Sequence, residues 1–135
     1  MMTSELVSVV IPVYNEVESL RELHQQLTQS LSSFEAYEIL FIDDGSTDGS
    51  VDLVRLLSET DNHINLIQFH RNYGKSAALS EGFKYAKGDY IVTMDGDLQD
   101  DPAEIPNLVR KLEEGYDLVS GWKKDRKDPI SKTVP

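Results

Sequence analysis

Five short apolar runs alternate along this chain with segments of helical spacing, and four of the runs end in polar clusters, two of them rich in aspartate. Leu6–Val13 is apolar except for Ser8 and Pro12 and reads as a buried strand. Pro12 cannot donate to a central ladder, so the strand is expected to end or bulge there. Leu20, Leu23, Leu27, Leu31 and Phe34 then recur at spacings of three and four, which is one face of a helix. Residues 38–42, 64–69, 90–94 and 118–122 supply four further strands. Val51, Val54 and Leu57 mark a short helix after the second strand. Residues 75–86 form another after the third, with Ala77 and Ala78 allowing close packing and Gly88 as its stop. Pro102 opens a last helix, whose inner face is Ile105, Leu108, Val109 and Leu112. Strands that alternate with helices predict an α/β fold, a Rossmann-like, doubly wound and mostly parallel sheet. Right-handed crossovers then place helices on both faces.

Composition narrows the function. The 135 residues suit one domain, and a hydrophobic share of 39% is that of an ordinary globular protein. There is no cysteine, which excludes a disulfide scaffold and thiolate chemistry and fits a reducing cytosol. Acidic residues outnumber basic ones 24 to 13, so a nucleic-acid surface is not expected. The exception is the end of the chain, where Lys123, Lys124, Arg126, Lys127 and Lys132 face only Asp125 and Asp128. That segment reads either as a solvated end or as a basic loop near a phosphate or an anionic membrane. No secretion signal or membrane-spanning stretch is visible, and a cytoplasmic location is expected. His24 is expected on a helix surface and His63 in a loop.

Ligands of open α/β sheets bind at the carboxyl ends of the strands, where the polar clusters fall. The most specific cluster is Asp95-Gly96-Asp97-Leu98-Gln99. In an extended segment alternate side chains point the same way, so Asp95, Asp97 and Gln99 would share one focus. Such oxygen ligands suit Mg²⁺ or Mn²⁺, and Gly96 admits a phosphate or ribose close to the backbone. Asp100 and Asp101 read instead as the acidic start of the helix at Pro102. Asp43 and Asp44 also leave a buried strand, where a carboxylate can accept from a pyrimidine N–H or a ribose hydroxyl, or cap the following helix. Ser46 and Asp48 read as caps. Tyr14 offers a face for a base, with Glu16 and the backbone at Val13 at its edge. Arg71 and Lys75 can balance a diphosphate at a helix N-terminus, and Gly74 permits a tight turn there.

Together, Val9-Val10-Ile11-Pro12-Val13-Tyr14-Asn15-Glu16, Ile42-Asp43-Asp44-Gly45-Ser46-Thr47-Asp48-Gly49, Asn72-Tyr73-Gly74-Lys75 with residues 77–82, and Met94 to Asp100 resemble the inverting family 2 glycosyltransferases of the GT-A fold. Asp97-Leu98-Gln99 and Gly121-Trp122-Lys123 followed by Arg126 look most like the polyprenyl-phosphate sugar transferases within that family. The resemblance implies that Pro12, Tyr14 and Glu16, with Asp44 or Asp43, hold the nucleoside of a UDP- or GDP-sugar, and that Asp95 touches ribose or metal. It also implies that Asp97 and Gln99 bind a divalent cation bridging the donor's diphosphate. The acceptor would be a lipid phosphate or a glycan, attacking with inversion. Residues 1–122 would form the nucleotide-sugar-binding domain, and 123–135 a basic segment leading into an acceptor part with its membrane association. The family's acid–base carboxylate lies well beyond its D-x-D segment, and this chain reaches only Pro135, so the expectation is a C-terminally truncated piece with no catalytic base of its own.

Three rivals carry less of the sequence. A receiver domain could use Asp43, Asp44, Asp95 and Lys123, but its acidic pair follows the first strand rather than the second. A nicotinamide-binding domain lacks its G-x-G-x-x-G after the first strand. A non-catalytic nucleotide- or carbohydrate-binding module fits a piece that binds a donor without transferring from it.

Overall fold

The computed structural model describes residues 5–114. The fifth strand expected at 118–122 and the basic segment from 123 lie outside these residues. Four parallel strands are present: β1 (Leu6–Val13), β2 (Ala36–Asp43), β3 (Ile64–Gln68) and β4 (Tyr90–Thr93), in the spatial order β3-β2-β1-β4. The helices between and after them are α1 (Val17–Leu31), α2 (Ser50–Ser58), α3 (Lys75–Tyr85) and α4 (Ile105–Glu113), the last entered through a 3₁₀ turn at Pro102–Glu104. Chain order runs outward from β1 to β3 and then jumps back to β4 on the other side of β1. The sheet's topological switch point therefore lies between β1 and β4.

Alternation along β1 divides the core. Val7, Val9, Ile11 and Val13 face α1, α2 and α4, where Leu20, Leu23, Leu27, Leu31, Ile105 and Val109 are fully buried. Val10 points the other way, with Leu40 and Ile42, onto Ala78 of α3. Gly82 sets that second spacing, because a Cβ there would lie 2.3 Å from Val10 Cγ1.

Four local expectations are corrected. β1 does not stop at Pro12: the strand runs on to Val13 with Pro12 in register with Ile42, while pairing to β4 ends at Val10, so no β4 ladder reaches the proline. Phe34 lies past the end of α1, in a turn, yet it is buried in the same core. Gly88 does not cap α3, whose C-cap is Ala86. The glycine instead brings the loop against β1, since a Cβ there would meet Ser8 Oγ at 2.5 Å. Its N–H donates to that hydroxyl, which in turn donates to Glu38 in 2.6 Å contact, and Glu38 also accepts from the Lys87 N–H. This closed set of partners accounts for a carboxylate lying in the sheet. His24 is half-buried and bonds Asp61 at 2.7 Å, rather than lying free on a helix surface.

Candidate functional site

The polar residues at the carboxyl edge of the sheet belong to three strand ends and one helix start, and at the switch point they surround a cleft of about 220 Å³. Pro12, Val13, Tyr14 and Glu16 follow β1; Asp44 follows β2; Asp95, Gly96 and Asp97 follow β4; Lys75 is the first residue of α3. Among the described residues, four carboxylates and one amine line this space. Like charges so placed repel one another, and a cation between them relieves the repulsion.

Asp44 is 4% exposed and is the hub of its loop. Its carboxylate accepts from the Tyr73 N–H at 2.7 Å, the Gly74 N–H at 3.0 Å and the Asn72 amide at 3.1 Å. Those bonds fix the 72–74 turn, and with it the start of α3. Gly74 has a φ of 107°, a region that favours glycine, and α3 has no side-chain cap there. The first N–H groups of α3 and Lys75, its first residue, thus share one helix N-terminus, the usual place for an anion.

Asp43 does not line the cleft. Its Oδ2 accepts from the Gly45 and Ser46 N–H groups and closes the turn after β2, while its buried Oδ1 receives no hydrogen bond. Arg71 does not line the cleft either; its guanidinium lies over the Tyr73 ring, 4.8 Å from the centroid. Gly74 acts from behind, through Asp44.

The D-x-D-x-Q segment is not extended, which corrects the alternation expected from the sequence. Residues 96 and 97 turn, and Leu98 has a φ of 68°. Asp97 closes this turn by accepting from the Gln99 N–H at 3.1 Å. Asp95 and Asp97 line the cleft, whereas Gln99 is exposed and outside its lining. Asp100 does not start the helix as expected: it is buried and accepts from the Asp95 N–H at 2.8 Å, bracing the turn. Asp101 does cap, accepting from Ala103.

The donor set suits a hard cation, with two carboxylates from one turn opening onto the same space. Asp95 already holds a cation's stand-in, since Lys75 Nζ lies 2.6 Å from its Oδ1. Among the described residues no three His, Cys, Asp or Glu side chains gather as a closed metal site. A Mg²⁺-type site that takes one or two carboxylates and completes its shell with substrate phosphates needs no such group.

Nothing in the residue pattern signals the lock that holds the β1–α1 loop. Ser46 Oγ accepts from the Asn15 N–H at 2.8 Å, and Asn15 Oδ1 accepts from the Thr47 N–H at 2.8 Å. Ser50 Oγ accepts from the Glu16 N–H, and Asp48 accepts from the Val17 N–H, each at 3.1 Å. Asp48 accepts at the start of its own helix, from the Ser50 N–H, as well as from Val17, whereas Ser46, expected as a cap of that helix, accepts instead from Asn15 across the loop. The reciprocal bonds retain Asn15 at a φ of 54° and so aim Tyr14 and Glu16. Desolvation by its neighbours raises Asp48, but the Ser50 hydroxyl and the Val17 and Ser50 N–H groups outweigh it and hold its carboxyl below the usual range.

Comparison with known proteins agrees with this architecture. A family model for glycosyl transferase family 2 matches residues 8–134. The undecaprenyl-phosphate 4-deoxy-4-formamido-L-arabinose transferase of Salmonella paratyphi B is 51% identical over 126 residues, covering 92% of this chain and 38% of that protein. The chain thus spans well under half the length of the curated relatives it matches. The mannosyltransferase PcManGT of Pyrobaculum calidifontis, solved with GDP-Man and Mn²⁺, superposes with a TM-score of 0.73 at 27% identity, over 82% of this chain and 33% of that one. S. aureus TarS, solved with UDP-GlcNAc, superposes at 0.64 with 23% identity over 80% of this chain and 31% of that one, a likeness of fold. With the family model matched from Ser8 almost to the end of the chain, and with these parallel strands, the chain belongs to glycosyl transferase family 2.

Proposed function

We propose that this chain is the donor-binding part of a metal-dependent, inverting glycosyltransferase that moves a sugar from a nucleoside-diphosphate sugar to an acceptor, with a polyprenyl phosphate as the acceptor class. The observation that carries the reading is the shared lining: Asp44, Lys75, Asp95 and Asp97 come from two strand ends and a helix start and open onto one cleft at the switch point. The relative that is 51% identical is named for an undecaprenyl-phosphate acceptor, which supports the acceptor class.

In this reading Tyr14, 47% exposed at the rim, stacks on the base of UDP or GDP. The Val13 backbone and Glu16 read the base edge, Pro12 shapes that wall, and Asp44 keeps the 72–74 turn in place. Lys75 and the N-terminus of α3 balance the diphosphate. Asp95 meets ribose or metal, and Asp97 holds the divalent cation, Mn²⁺ or Mg²⁺. When bound, that cation supplies Lewis-acid stabilisation of the charge collecting on the departing nucleoside diphosphate. The acceptor enters from the face opposite the leaving group, which gives inversion. No described residue is assigned as the base that deprotonates it.

The receiver reading fails on topology as well as on sequence. A flavodoxin-like receiver sheet has the order 2-1-3-4-5, which puts β3 beside β1. Here β3 pairs with β2 and β4 with β1. Calorimetric titration of the chain with UDP, GDP and their sugar conjugates is the test. Binding in Mn²⁺ should weaken at least about tenfold in excess EDTA and in Asp97→Ala, a loss of roughly 1.4 kcal/mol or more. Equal affinity in EDTA refutes the metal assignment; no affinity for any of these ligands refutes the donor site.

A further inference from the structure

Among the described residues that line the cleft, Lys75 is the only cation, set with Glu16, Asp44, Asp95 and Asp97. Its ammonium sits 2.6 Å from Asp95 Oδ1, where an oxygen-seeking metal ion would also bind. The two ends of this pair differ in freedom. The Lys75 side chain is 58% exposed on a flexible stem, whereas Asp95 is 16% exposed and its backbone N–H is tied to Asp100. The uncapped start of α3 lies at Lys75 itself and offers an anion a second position for the ammonium to follow.

We propose that the Lys75 ammonium and a divalent cation compete for Asp95, and that a bound diphosphate relieves the competition by drawing Lys75 to itself. The inference rests on the donor-site reading above. One side chain then performs two tasks: it neutralises Asp95 when no diphosphate is bound, and it hands that carboxylate over when one is. Nucleotide and metal consequently bind with positive coupling, and linkage makes the coupling reciprocal. The site takes up metal chiefly together with a donor.

The test is Mn²⁺ titration of the 135-residue chain, with free Mn²⁺ read by electron paramagnetic resonance, with and without GDP or UDP. Without nucleotide, Lys75→Met and Lys75→Gln should each bind Mn²⁺ about two- to fivefold more tightly than wild type, the range for releasing a partly exposed ion pair. Nucleotide should strengthen Mn²⁺ binding by a larger factor in wild type than in either variant, and Lys75→Arg should keep the wild-type pattern. Lys84→Met removes one charge from the far end of α3 and should leave Mn²⁺ binding unchanged. A gain in Lys84→Met equal to that in Lys75→Met overturns the pairing as the cause. Unchanged or weaker Mn²⁺ binding in both neutral Lys75 variants, with wild type still responding to nucleotide, overturns the competition and leaves the donor site standing. Failure of wild type to bind Mn²⁺ under any condition overturns both.

Discussion

Gly96 and Asp97 share one turn but act on the cleft in different ways. A Cβ on Gly96 would meet Glu16 Cγ at 3.4 Å and the Pro12 carbonyl oxygen at 3.5 Å, ordinary contact distances. Gly96→Ala should therefore fold with an almost unchanged melting temperature while its methyl occupies the cleft. Nucleotide affinity should fall about tenfold by titration, near 1.4 kcal/mol; full affinity would place the ligand elsewhere. At the opposite edge of the sheet, Asp61 binds His24 and His63, each at 2.7 Å. Burial raises Asp61, but the bonds from His24, the His63 N–H and the His63 ring outweigh it and hold its carboxyl low. A folded-state value below the unfolded one stabilises above the unfolded value, near 3.9, and is lost as pH falls through the folded value. The stability gap between wild type and Asp61→Asn, read from urea midpoints, should accordingly be present at pH 6 and close below pH 4. A gap that widens on acidification contradicts this. The triad was illegible in the sequence, because His24 and Asp61 stand 37 positions apart and share no periodic signal.

The elements were legible wherever their period was clean. The leucines of α1 recur at three and four and are all buried, and β1 alternates between the two cores. The turn after β4 was not legible, since an extended reading cannot foresee a left-handed Leu98. Nor was the cross-capping, because Ser46, Asp48 and Ser50 carry the usual marks of caps for their own helix while three of their bonds serve the loop and helix after β1. Asp48→Ala should cost about 1 kcal/mol as a lost cap, seen in denaturant unfolding, and should also loosen nucleotide binding through Tyr14 and Glu16; stability lost with no change in affinity would separate the lock from the site. The α3 contact is tighter. With its Cβ 2.3 Å from Val10 Cγ1, Gly82→Ala should destabilise by about 1–3 kcal/mol through overpacking. An unchanged midpoint would show that α3 can shift freely.

At the scale of the whole molecule, the strand order makes the site. Alternation in the sequence implies parallel strands with polar residues at one edge, but it does not say which strands are neighbours. The order β3-β2-β1-β4 brings the ends of β1 and β4 together with α3 at their rim. No helix among the described residues is long and apolar enough to cross a membrane. Paramagnetic broadening tests directly whether a metal and a nucleotide sit between these strand ends. Mn²⁺ with GDP or UDP, added to ¹⁵N-labelled chain, should erase the amide resonances of residues 13–16, 74–75 and 95–97. Those of residues 61–64, at the other end of the sheet, should remain sharp. Broadening centred on residues 61–64, or spread evenly over the chain, would contradict the site.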